Sequence, residues 1–238
     1  MAKKTVPQTA TPNATPPPPH LVDLLAFYNM YFAPPKRASL GRLKPHAKGN
    51  INLFANLLAT GVHYCNLPRV NTPTFPYLKC RSVNPTLLAN ARIAPRSSHQ
   101  KCISNATIQL FVNNLLNNGI LSKYNTNSGN VTFEDIYDDI NNFRMKGTGD
   151  LFIYDAALRL AFSIGVEPDQ YVYLHSGAMI GANLLKRRGY IQFSIPQGGL
   201  SRVPRSAFNG IFPTNMKSLD IEHFLCIFKG FFNTMIVP

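Results

Sequence analysis

From Phe143 to Gly165 the chain reads FRMKGTGDLFIYDAALRLAFSIG, and two features within it are suited to chemistry. The first is Met145-Lys146-Gly147-Thr148-Gly149-Asp150. Two glycines two apart let a backbone turn approach a ligand closely, and the helix that follows leaves its first N–H groups facing outward. With the full charge of Lys146 beside them, those groups make an anion site. Lys146, Gly147, Thr148 and Gly149 are its candidate residues. A plain glycine turn between packed helices would use the same residues, and Asp150 weighs toward that reading, because a carboxylate in the first helical turn satisfies the same N–H groups. The second feature is Asp155, a carboxylate in an otherwise apolar helix, with Arg159 four residues on and so on the same face. Asp155 is then either half of a buried ion pair or an active-site acid. Burial would raise its pKa, whereas Arg159 would hold it ionised.

The elements that must position these residues are helical. In VTFEDIYDDINNF, Thr132 and Asp135 form a capping box, and Phe133, Ile136, Tyr137, Ile140 and Phe143 fall on one helical face. The opposite face carries Glu134, Asp135, Asp138 and Asp139, which reads as a solvated acidic surface. LFIYDAALRLAFSIG is a second helix stopped at Gly165, and a third starts at Ser176, with Gly177 and Gly181 forming a flat strip and Lys186, Arg187 and Arg188 closing its C-terminus. Upstream, HLVDLLAFYNMYF, KGNINLFANLLATG and ATIQLFVNNLLNN also read as helices, the last capped by Asn105. Downstream, SLDIEHFLCIFKGFF is a final helix, reached through a loop in which Arg202 and Arg205 suit either a second phosphate contact or an ordinary surface. Strand signals are weak and isolated, so the expected fold is all-α. Residues 1–20 are Pro/Thr-rich and cannot build a core, which makes them a disordered tail before a single domain over 21–238.

Charge narrows the partners. Lys+Arg number 24 against 11 Asp+Glu, and no acidic residue occurs between Asp23 and Glu134, a stretch holding twelve basic ones. A surface of one sign over that length attracts a polyanion, of which nucleic acid is the commonest. No apolar run approaches the roughly 20 residues of a membrane span, and the polar sequence after MAKK does not resemble a signal peptide, so a cytoplasmic, monomeric protein is expected. Cys65, Cys80, Cys102 and Cys226 show neither a C-x-x-C pair nor histidines at ligand spacing, which signals neither a metal site nor a disulfide framework.

Residues 131–188, with a helix, MKGTGD hairpin and second helix over 131–164 and a third helix reached through YLHSGAMIGANLL, resemble the core of the helix-hairpin-helix superfamily of DNA glycosylases. The resemblance implies double-stranded DNA as partner, no cofactor and no metal, and an enzyme that turns a modified or damaged base out of the duplex and hydrolyses its bond to the sugar, leaving an abasic site. In that family an Asp at the start of the third helix stabilises the cation-like sugar. By helix order the position falls on His175; by chain distance from the hairpin Asp169 is closer. Bifunctional members carry a Lys where this chain has Leu151, so the resemblance implies a monofunctional enzyme. Asp155, four residues after Leu151, lies on the face turned to the flipped base, with Leu151 and Tyr154 lining its pocket and His175 as base or base-edge contact. Such an enzyme would serve repair or defence against phage with modified DNA. The rival readings are a helix-hairpin-helix DNA binder without chemistry, which His175 in place of Asp favours, and a structured-RNA binder.

Overall fold

The computed structural model describes residues 19–34, 36–37, 61–62, 69–71, 81–83, 93–94, 102–126, 130–196 and 201–236. The Pro/Thr-rich tail before residue 19 and the helix expected just before Gly61 lie outside them.

The described chain is mostly helical: α1 (Leu21–Tyr31), α2 (Asn105–Asn117), α3 (Ile120–Thr126), α4 (Phe133–Asn141), α5 (Asp150–Ser163), α6 (Ser176–Arg187) and α7 (Ser218–Phe228). Three small antiparallel pairs modify the all-α expectation. β1 (Gly61–Val62) pairs with β4 (Ile93–Ala94), β2 (Arg69–Asn71) with β3 (Arg81–Val83), and β5 (Tyr171–Leu174) with β6 (Ser201–Pro204). Runs of two to four residues are too short to show a period of two, which is why strand signals in the sequence are weak and isolated.

Local sequence explains the helices. Thr132 Oγ1 accepts from the Asp135 N–H at 3.2 Å while Asp135 Oδ2 accepts from the Thr132 N–H at 2.9 Å, so the expected capping box starts α4. α2 is capped by Ser104, whose Oγ accepts from the Thr107 N–H at 3.0 Å, one residue before the Asn105 expected for that place. α5 is buried continuously from Phe152 to Phe162. A helix apolar on all sides belongs at the centre of a fold, and α5 is the central element here.

Two apolar cores meet at β5. One gathers α2 to α5 around Phe111, Phe133, Ile140, Ile153 and Leu160; the other gathers α1, α6, β6 and α7 around Phe27, Leu185, Phe208, Phe224 and Phe228. Along β5 the alternation of a strand sends Tyr173 into the first core and Val172 and Leu174 into the second. Burying each of these large side chains stabilises by about 1.5–3 kcal/mol. α6 and α7 approach closely because Gly177 and Gly181 lack side chains: a Cβ on Gly181 would collide with the backbone carbonyl of Leu225. The small strip read from the sequence is therefore a helix contact.

Candidate functional site

The hairpin between α4 and α5 is closed by Thr148. Its N–H donates to the Met145 carbonyl at 3.0 Å, its hydroxyl donates to the same carbonyl at 2.7 Å, and its oxygen accepts from the Met145 N–H at 2.9 Å. Thr148 is thus buried and spent on the turn, leaving the ligand-facing positions to Lys146, Gly147 and Gly149, which are exposed. Gly147 has φ +94°, the left-handed region that glycine enters without steric cost. Gly149 is the N-cap of α5, with no side-chain cap, and a Cβ placed on it would meet nothing within 4 Å. The space beside the Gly149 Cα is therefore open, while the Phe152 N–H turns back to the Gly149 carbonyl at 3.0 Å. Asp150 does not turn the hairpin against anions by itself, because its carboxylate is paired with Arg144 at 2.5 Å. Arg144 was not among the sequence candidates.

Behind the hairpin, α5 carries the second feature inward. Arg159 donates to the Asp155 carbonyl at 2.6 Å and lies 3.7 Å from its carboxylate, so the two form the buried pair that their spacing allows. One residue earlier, the Tyr154 ring lies 4.8 Å from the His175 ring, with Phe133 and Tyr173 also against it. Burial first, then the nearby Glu222 and Asp155 carboxylates, push the Tyr154 hydroxyl well above the usual tyrosine range, so it stays protonated.

His175 follows directly on β5 and is the N-cap of α6, which starts at Ser176 as the sequence suggests. Ser176 has φ +40° and is the one non-glycine residue with positive φ among the described residues. Strained backbone of this kind persists where surrounding packing over-determines it, and it concentrates at functional sites. His175 Nε2 lies 3.4 Å from Glu222 Oε1, which comes from α7. Tyr154, Asp155, Arg159, His175 and Glu222 are respectively 2%, 7%, 8%, 6% and 4% exposed, which makes them a buried polar seam between the two cores.

The seam is anchored one half-turn earlier on α7. Asp220 accepts from the Tyr28 hydroxyl at 3.2 Å and pairs with Arg37 at 2.5 Å, and Arg37 also reaches Glu167 at 3.0 Å. Burial opposes the Arg37 charge, yet the hydrogen bonds that Arg37 donates to the Asp220 and Glu167 carboxylates outweigh it and raise its pKa. Sequence reasoning missed Asp220 and Glu222. Both are carboxylates in an apolar helix, SLDIEHFLCIF, which is the same anomaly that marks Asp155.

The remaining candidates sit elsewhere. Leu151 is half-buried in the first turn of α5, and Asp169 is exposed, its carbonyl accepting from the Ser218 hydroxyl at 3.0 Å. Arg202 reaches back to α4, pairing with Asp138 at 3.0 Å and lying over the Tyr137 ring at 5.5 Å. Arg205 donates to the carbonyls of Met216 and Pro213 and to Asn209, at 2.6–2.8 Å. Arg202 thus ties β6 to α4, and Arg205 holds the loop before α7. Lys123 and Tyr124 likewise dock on Asp139, so the acidic side of α4 is partly an internal contact. Among the described residues no group of His, Cys, Asp or Glu is arranged to hold a metal ion, and no helix is long and apolar enough to cross a membrane. Neither a family model, nor a curated protein, nor a solved structure matches the chain.

Proposed function

We propose that the chain binds duplex DNA through one backbone phosphate at the 145–150 hairpin and hydrolyses the base–sugar bond of a modified or damaged nucleotide turned out toward α5. The observation that carries this reading is that one helix serves both features: α5 opens at the uncapped Gly149 N-terminus and, about 7.5 Å further along its axis, holds Tyr154 against the His175 ring, with the Asp155–Arg159 pair next to it in sequence. Glycine backbone and helix N–H groups suit a phosphate held without regard to sequence. A seam rich in ionisable groups next to such a grip suits proton transfer and stabilisation of a cation-like sugar. A second reading, phosphate binding without chemistry, is favoured by the near-complete burial of the five seam residues.

The test is incubation with duplex DNA bearing varied modified bases, including hypermodified cytosines, followed by mild alkali to cut at abasic sites. Alkali-dependent cuts that vanish in Asp155→Asn and His175→Ala support hydrolysis. Absence of cuts on every substrate, together with DNA binding weakened by Gly149→Ala and Lys146→Ala, would leave the second reading. Equal or tighter binding to A-form RNA would sink both.

A further inference from the structure

We propose that the C-terminal end of α6, Lys186-Arg187-Arg188, is a second contact surface for the phosphate backbone of duplex DNA; the proposal rests on the reading above in taking duplex DNA as the partner. The basic side chains of the described residues divide by whether a carboxylate or carbonyl already holds them. Arg37, Lys123, Arg144, Arg159, Arg202 and Arg205 are all engaged within the fold, five by carboxylates and Arg205 by carbonyls. Lys186, Arg187 and Arg188 are three consecutive cations with no side-chain partner among the described residues, the first two exposed and the third half-buried. No acidic residue competes with them nearby in the chain, since none occurs between Asp169 and Asp220.

These cations are not needed to finish the helix. Gly189, at φ +81°, turns the chain out of α6, and the Arg188, Gly189 and Tyr190 N–H groups donate to the Leu184, Lys186 and Leu185 carbonyls at 2.9–3.1 Å, so backbone closes the last turn. The Tyr190 hydroxyl donates to the Ile236 carbonyl at 2.8 Å, which fixes this end against the C-terminal segment. The helix dipole places about half a negative charge there, too little to account for three cations. Successive helical positions stand about 100° apart, so the three side chains fan around the helix end and reach separate phosphates. Contacts of Lys and Arg with phosphates hold a duplex without reading its sequence. An anionic membrane is the poorer partner: surface binding needs an apolar face to enter the lipid, and of the large apolar side chains on α6 only Ile180 is exposed. From the hairpin the path runs about 7.5 Å along α5 to Tyr154, across the ring contact to His175 and about 18 Å along α6, so a duplex of about a dozen base pairs is long enough to touch both ends.

The experiment titrates the full chain onto fluorescent, unmodified duplexes of two unrelated sequences over a salt series, comparing the wild type, Lys146→Gln and the triple variant Lys186→Gln, Arg187→Gln, Arg188→Gln. The slope of log affinity against log salt should fall by about two to three in the triple variant and by about one in Lys146→Gln. Between about 50 and 200 mM salt the advantage of the wild type over the triple variant should therefore shrink roughly 10–40-fold, and equally for both sequences. An unchanged slope in the triple variant, with Lys146→Gln still losing its contact, would overturn the α6 surface and leave the hairpin reading standing. No duplex binding by the wild type would overturn both. Binding to phosphatidylserine vesicles that the triple variant abolishes while keeping its grip on DNA would assign the surface to a membrane and refute the proposal. Should the triple variant fail to fold, labelling of Lys186 by an amine-reactive ester in the wild type decides. Protection by duplex at low salt is the expected result, and equal labelling with and without duplex refutes the proposal.

Discussion

The hairpin and the seam, at the two ends of one stretch of α5, are built from opposite materials. The hairpin is backbone: a left-handed Gly147, an uncapped Gly149 and a threonine spent on closing the turn. The seam is side chain: five polar groups drawn from α5, the β5–α6 junction and α7, all shielded from water. Backbone sites depend on conformation and tolerate changes of surface charge, whereas buried side-chain sites depend on every partner being present. Stability and binding should therefore respond to substitution in reverse order at the two places.

The largest effect belongs to the seam. Arg159→Met leaves the Asp155 carboxylate buried without its guanidinium and should cost about 3–5 kcal/mol in urea unfolding. Lys146→Ala, at an exposed hairpin position, should move stability by no more than about 0.5 kcal/mol. A cost below about 1 kcal/mol for Arg159→Met would mean that Asp155 is satisfied by other groups and that the contrast is overstated.

The glycines sharpen the contrast next. Gly181→Ala gains helix propensity but drives a methyl into the Leu225 carbonyl, and separating α6 from α7 should cost about 1–3 kcal/mol and disturb the Glu222–His175 contact with it. Gly147→Ala has room, since its Cβ would meet only the Thr107 side chain at 3.5 Å, but the left-handed backbone should cost about 1–2 kcal/mol. Gly149→Ala has both room and an ordinary φ of −77°, so it should cost only what alanine loses to glycine as an N-cap, about 0.5–1 kcal/mol, while its Cβ stands where a phosphate would approach. Weaker DNA binding with a smaller loss of stability than in Gly147→Ala is the expected signature. Unchanged binding in Gly149→Ala would remove the hairpin from the proposed function.

That contrast also explains what the sequence discloses. The hairpin is legible because its parts are contiguous: glycine spacing, the Thr132 capping box and the apolar face of α4 all lie within twenty residues and each has a local cause. The Asp155–Arg159 pair is legible for the same reason, through helical spacing. Glu222 is not, because nothing local to α7 says that its carboxylate meets a histidine at the start of α6; tertiary packing through Gly177 and Gly181 decides it. The partners of Arg202 and Arg205 are hidden in the same way. A basic Gly/Pro-rich loop looks free in sequence, yet β6 pairs with β5 and aims Arg202 at Asp138, while a turn of carbonyls takes up Arg205.

The smallest effect tests the start of α4, which holds the hairpin from the other side. The Thr132 N–H and hydroxyl both donate to the Asp135 carboxylate, and these bonds hold its pKa below the usual carboxylate range. A group whose folded-state pKa is depressed adds stability above its unfolded value, about 3.9, and loses it as pH falls through the folded value. Thr132→Ala removes the hydroxyl bonds, so it should cost about 1 kcal/mol near neutral pH and progressively less in acid. Glu134, one residue away, shifts upward, through burial first, and works in the opposite direction. Its contribution is common to both proteins and drops out of the difference between wild-type and variant unfolding free energies measured at each pH. A difference that stays flat through the acid range would mean that the hydroxyl caps the helix through the Asp135 N–H alone, and that its own bond to the Asp135 carboxylate adds nothing to how firmly α4 holds the hairpin.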